Sequence, residues 1–285
     1  MHRQQILGCT IVLGTLLVLS LVAVGVMQHR TSVQGSGIGL FRTDVVLLLV
    51  YGFAGILVWN QKSNSAIPAA IVGAQIGLLV GAVQIANHLI EAFVPTRPFV
   101  LIISPVLLTL ALLGTAGAAA WERTRSLALA AIGGVCCAIV ATLITLCFAI
   151  SFNLLFAARV DWQLHEAFAA SGMIDPGGFR VKNILEASSE ILVRMPLFAI
   201  FLALAGGIIH AWMSGESRRM RVVAGLLAPP LFAVGASALW HANAIDRAAR
   251  PPFVMSGVLL TGVALCAAYP IWSVLHASSG KSRAL

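Results

Sequence analysis

Residues 66–90 read AIPAAIVGAQIGLLVGAVQIANHLI, a run without a single Lys, Arg, Asp or Glu. An α-helix rises 1.5 Å per residue, so ~20 such residues cross the ~30 Å of hydrocarbon in a bilayer. Backbone amides and carbonyls in lipid must be paired within their own segment, which makes this stretch a spanning helix. Gly73, Gly77 and Gly81 recur every fourth position along it, a small-residue stripe that admits a neighbouring backbone. Gln75 is the strong hydrogen-bonding side chain placed deep in the stretch, and its expected use is to hold another helix.

Stretches of the same kind occur at about 6–27, 44–60, 99–121, 127–157, 196–213, 222–241 and 253–275. None shows the alternation of a barrel strand. The fold class is therefore all-α, a polytopic membrane helix bundle of eight transmembrane helices. Composition agrees, because 59% hydrophobic and 10% charged residues leave too little polar surface to cover a soluble globule. Mean hydropathy is +0.96. The first stretch is longer than the apolar core of a signal peptide and no A-x-A site follows it, so it reads as a retained helix.

The formal net charge of +8 does not point to nucleic acid, because the basic residues are scattered through short loops. They set an orientation instead. With the N-terminus cytoplasmic, Arg3, Lys62, Arg123, Arg125, Arg218, Arg219, Arg221, Lys281 and Arg283 fall inside. Arg30, Arg42, Arg97, Arg247 and Arg250 fall in short outer loops, and Arg159, Arg180, Lys182 and Arg194 in one long outer segment that counts for less. Both termini are then cytoplasmic, and the expected location is a bacterial inner membrane. The partners implied are the lipid bilayer and other membrane subunits.

The chain also repeats itself. Ala86-Asn87, Ile90-Glu91, Pro98-Phe99-Val100 and Ser104-Pro-Val-Leu-Leu-Thr109 recur in order as Ala242-Asn243, Ile245-Asp246, Pro252-Phe253-Val254 and Ser256-Gly-Val-Leu-Leu-Thr261. Trp59 and Trp121 correspond to Trp212 and Trp272 at offsets of 153 and 151, each at an expected cytoplasmic helix end where an indole suits the headgroup layer. Gly39-Leu40-Phe41-Arg42 resembles Gly177-Gly178-Phe179-Arg180. Four helices per copy is an even number, so the repeats, 1–121 and 127–278, are parallel and not inverted.

The second copy is longer by an amphipathic insertion within about 158–195. Val181, Ile184, Leu185, Ser188, Ile191 and Leu192 share one helical face, and Lys182/Glu186 and Glu190/Arg194 form oppositely charged i,i+4 pairs on another. Asp175-Pro176-Gly177-Gly178 reads as the turn before it. The segment either lies at the outer interface, as part of a hairpin or cap, or runs into the sixth span through a kink at Pro196.

Chemistry-bearing residues concentrate at the outer ends of two spans. Gln84, Asn87, His88 and Glu91 end the third, and His241, Asn243 and Asp246 end the seventh. Ionisable groups in spans are costly enough to be functional suspects. At helix ends water is within reach, so capping and headgroup contact are their commoner use. Facing each other across a pseudo-two-fold axis, the two clusters would make a site for a cation, a proton or a polar solute. The leading reading is a small-solute or ion transporter-like protein or an accessory membrane subunit, with no enzyme signature such as H-E-x-x-H, G-x-S-x-G or Walker A. A redox protein with haem held by histidines, drawn from His88, His241, His210 and His276, is the alternative. A structural or assembly partner is a third. Cys9, Cys136, Cys137, Cys147 and Cys266 fall in spans without metal spacing and read as small core residues, so no metal is expected.

Overall fold

The computed structural model describes residues 3–61, 66–94 and 99–213. These residues contain no strand, and the helices run α1 Arg3–Gln28, α2 Gly37–Asn60, α3 Ala66–Phe93, α4 Phe99–Thr124, α5 Leu127–Leu155, α6 Ala157–Gln163, α7 His165–Ser171 and α8 Pro176–Met213. A single 3-10 turn, Arg30–Val33, lies between α1 and α2. Among the described residues six helices, α1 to α5 and α8, are long and apolar enough to cross a membrane. The expected seventh and eighth spans, at 222–241 and 253–275, lie outside the described residues, and the second repeat copy is described only as far as residue 213.

Large apolar side chains point outward, among them Leu13, Leu16 and Leu17 of α1, Phe53 and Leu57 of α2 and Phe201 of α8, which suggests contact with lipid. The interior is apolar as well, with Ile11, Leu48, Leu113, Ile150, Leu185 and Leu192 fully buried, and glycine and alanine lie where helices approach most closely. α5 is the central helix and touches α1, α3, α4 and α8. Its closest neighbour is α3, and the glycine stripe explains why. A methyl group built on Gly77 would lie 2.5 Å from the Cys137 carbonyl oxygen, and one on Gly73 would run into the Gly133 backbone. The two helices meet backbone to backbone, as small-residue interfaces allow. Cys136 and Cys137 are buried in α5, and all four described cysteines are free thiols.

Gln75 is exposed among the described residues, and none of the described helices covers it. Two positions from Gly73 and Gly77 it is turned some 200° away from their face, which α5 occupies. Trp121 lies in the last turn of α4, the helix end expected for it, and is 4% exposed, packed with Leu127, Ala130 and Ala211.

The two readings of the insertion separate cleanly. Only residues 157–171 form independent short helices, α6 and α7, whereas the amphipathic segment is the first half of α8, one helix of 38 residues, some 57 Å long. What reads as a turn is the start of that helix. Asp175 Oδ1 accepts the Gly177 amide at 3.0 Å, and Pro176 takes the first position, where no amide is needed. Pro196 does not break α8, although it removes the amide that would bond the Leu192 carbonyl. The Tyr51 hydroxyl of α2 donates to that carbonyl at 2.9 Å. Val181, Leu185, Ser188 and Leu192 are buried as the periodicity predicts, and Arg194 pairs with Glu190 at 3.0 Å.

The start of α8 is tied to the α1–α2 turn. The Thr31 hydroxyl donates to Asp175 Oδ2 at 2.6 Å, and His29 Nδ1 lies 3.7 Å from the same oxygen. The Thr31 hydroxyl holds the Asp175 carboxyl below its ordinary range, against a smaller opposing effect of burial, and the Gly178 and Gly177 amides and His29 add to it. A carboxyl lowered in the folded state contributes stability above its unfolded pKa of ~3.9 and loses it as pH falls through the lowered value.

Two outcomes are expected. Tyr51→Phe keeps the ring but leaves the Leu192 carbonyl without its donor, and should cost about 1–3 kcal/mol, seen as a lower unfolding temperature in detergent. An unchanged unfolding temperature would mean that another donor replaces it. Hydrogen exchange at residues 176–180 should rise in the wild type only below pH ~4. In Thr31→Val it should be high already at neutral pH and respond less to acid.

Candidate functional site

The last two turns of α3 carry Gln84, Asn87, His88 and Glu91, and their i, i+3, i+4, i+7 spacing puts them on one broad face. Among the described residues that face borders a cavity of about 670 Å³ between α3, α5, α6 and α8. All four line it. Asn153 of α5, Arg159 of α6, and Asn183 and Ser188 of α8 line it as well. His241, Asn243 and Asp246, expected to face the α3 cluster, lie outside the described residues.

The cavity opens where the close contact of α3 and α5 ends. Beyond Gly81 the two helices are separated by rings: His88 meets Phe148 and Phe152 edge-on, with centroids 5.9 Å and 5.3 Å away. The Gln84 amide leaves the face sideways and donates to Thr109 Oγ1 of α4 at 2.9 Å. Asn153 donates to the Ala149 carbonyl of its own helix at 2.7 Å.

The end of α3 is capped from α6. Arg159 Nε donates to the Ala92 carbonyl at 2.7 Å, and the Gln163 amide donates to the Glu91 carbonyl at 3.0 Å. These are among the carbonyls that a helix leaves without internal partners, and a guanidinium there also suits the negative end of the helix dipole. The Arg159 guanidinium lies over the Trp162 ring, 4.4 Å from its centroid, so its plane is fixed from both sides.

Ser188 joins the cavity to a group that the sequence does not single out. Its hydroxyl is hydrogen-bonded to Asp44 Oδ2 of α2, and Asp44 is 0% exposed. Asp44 Oδ1 is buried with no hydrogen-bond partner among the described residues. By the sequence, Asp44 is the first residue of the expected second span. Because α2 begins at Gly37, it instead lies two turns inside the helix. The available signal was Ser188, the one polar position on the apolar face of the insertion. Arg159, Asn153 and Asn183 carry no sequence signal of their own, since each is recruited by tertiary packing.

The lining offers a carboxylate, a guanidinium, an imidazole and carboxamides around one space. Such a mixture is chemically suited to small polar or charged molecules, through hydrogen bonds and charge. Among the described residues no three His, Cys, Asp or Glu side chains converge to hold a metal ion. The histidines of the haem alternative are in part described: His88 packs on phenylalanines, and His210 packs on Trp121 with centroids 5.5 Å apart. His241 and His276 lie outside the described residues.

By its helices, then, the chain is compatible with an integral, multi-pass membrane protein. No protein-family model matches it, and neither does a curated protein or a solved structure.

Arg159→Ala is expected to release α6 from the end of α3. Hydrogen exchange at residues 157–163 should rise while that of α3 around Gly77 stays slow. Equal exchange in α6 of the two proteins would show that Gln163 alone holds it.

Proposed function

We propose that this chain is an integral membrane protein that binds a small polar solute or ion, as a transporter or as an accessory membrane subunit that presents such a site. The observation that carries this reading is the cavity of about 670 Å³ in which Gln84, Asn87, His88 and Glu91 meet Arg159 and Ser188 between helices fit to span a membrane. Polar and ionisable side chains gathered around one space among spanning helices are costly to keep there and are suspects for a solute pathway.

In this reading the molecule has eight spans as two parallel four-helix repeats, 1–121 and 127–278, and both termini are cytoplasmic in a bacterial inner membrane. The recurrence of Ala86-Asn87 and Ile90-Glu91 as Ala242-Asn243 and Ile245-Asp246 supports it, as does the distribution of Lys and Arg among the loops. His241, Asn243 and Asp246 would then complete the site from the seventh span.

Sodium, potassium and a zwitterionic amino acid are suitable probes in proteoliposomes. At least one should be bound or taken up by the wild type. Glu91→Gln combined with Asp246→Asn should reduce that signal roughly tenfold, since one charge-assisted hydrogen bond contributes about 1.5–3 kcal/mol. Unchanged binding and uptake in the double variant would remove the site from consideration.

A further inference from the structure

Asp44 is fully buried in a helix long and apolar enough to span a membrane. A carboxylate there needs a counter-charge, whereas a carboxylic acid needs only hydrogen bonds. Among the described residues, counter-charges are lacking on every element packed against α2. α1 has no titratable residue after Cys9. In the α1–α2 connection His29 is engaged with Asp175, and Arg30 is exposed. On α2 itself Arg42 is exposed. On α8 Arg180 pairs with Asp161 and Arg194 with Glu190, Glu186 is exposed, and Lys182 lies six positions from Ser188 on a different face. Among the described residues no cation forms an ion pair with Asp44.

The Ser188 hydroxyl bears on the protonation state directly, because it has one proton to give. Its oxygen lies within hydrogen-bonding distance of Asp44 Oδ2 and, at 3.1 Å, of the Leu185 carbonyl. With Asp44 ionised both are acceptors, and a single proton serves only one of them well. With Asp44 protonated the contradiction disappears: the acid donates to Ser188 Oγ, and Ser188 donates to Leu185. The oxygen left without a partner, Oδ1, is then a neutral carbonyl, far cheaper to bury than a charge.

Ser188 is also part of the cavity wall. We propose that Asp44 is a proton-exchange site, neutral in this structure, which loads and unloads through the Ser188 hydroxyl onto the cavity. On unloading, the proton of Asp44 passes to Ser188 Oγ as the proton of Ser188 passes to a water in the cavity. One proton leaves, one negative charge remains on Asp44, and Ser188 is regenerated. The site goes beyond the solute-binding reading and does not require it, since protonation of Asp44 is measured without any solute.

The test is infrared spectroscopy of the full chain in nanodiscs at neutral pH. The wild type should show a protonated-carboxyl stretch that Asp44→Asn abolishes and Glu91→Gln retains, and that shifts on transfer to D2O. In Ser188→Ala the deuterium shift should slow at least tenfold. A wild type without the band, a band that survives Asp44→Asn, or exchange at the wild-type rate in Ser188→Ala would each overturn the proposal. Should Asp44→Asn not fold, carbodiimide labelling of the wild type decides, because that reagent attacks protonated carboxyls in apolar surroundings. Mass spectrometry should find Asp44 labelled, and an unlabelled Asp44 would overturn the proposal.

Discussion

The backbone contact between α3 and α5 is the constraint on which the rest of the structure depends. It proceeds in steps along both helices: Gly73 on Gly133, Gly77 on Cys137, Gly81 on Ile144, and then His88 on Phe148 and Phe152. The first steps have no side chain between the backbones, and the last has rings. Two helices touching at one end and propped apart at the other must diverge, and the cavity lies in the divergence. Because lipid supplies no hydrophobic drive between helices, packing of this kind is what holds α5 at the centre of the bundle. α8, laid against the same helix, then brings Asn183 and Ser188 to the cavity from the other side.

A second pattern follows from the close approach of the helices. Where helices meet through small residues, a polar group between them can be reached by very few partners, and each contact becomes specific. Tyr51 serves the one carbonyl that Pro196 deprives of its amide. Ser188 serves Asp44, and Thr31 serves the carboxyl that starts α8. All three join α8 to α2 or to the turn before it. The long helix is therefore held to that side of the bundle by hydrogen bonds in addition to apolar contact. This explains how one helix of 38 residues passes through a proline without breaking.

Hydropathy made the six described spans legible, because length and apolarity are local properties of the chain. The ends were less so. α2 starts seven residues before the apolar run, since Arg42, Thr43 and Asp44 depress the hydropathy there while helical geometry continues through them. That is also why Asp44 escaped notice: a scale that counts an acid as a boundary cannot represent an acid buried by a neighbour 144 positions away. The face of α8 was legible from its periodicity, but its continuity depended on Tyr51, 141 positions distant. The end position of Trp121 was legible but its burial was not, since Ala130 and Ala211 leave it room that no local pattern records. The polar cluster of α3 was legible as spacing, whereas its surroundings on α5, α6 and α8 were not.

Whether that cluster merely finishes a helix is decided by who does the finishing. Polar residues at a helix end commonly satisfy its last carbonyls, and had Asn87, His88 or Glu91 done so, no further role would be called for. The carbonyls of Glu91 and Ala92 are instead satisfied by Gln163 and Arg159, which arrive from α6. The α3 side chains line the cavity. A separate helix thus caps α3, while a carboxylate, an imidazole and two carboxamides of α3 border the space beside it. Their common neighbour is the cavity, and the wall opposite is Ser188 with Asp44 behind it.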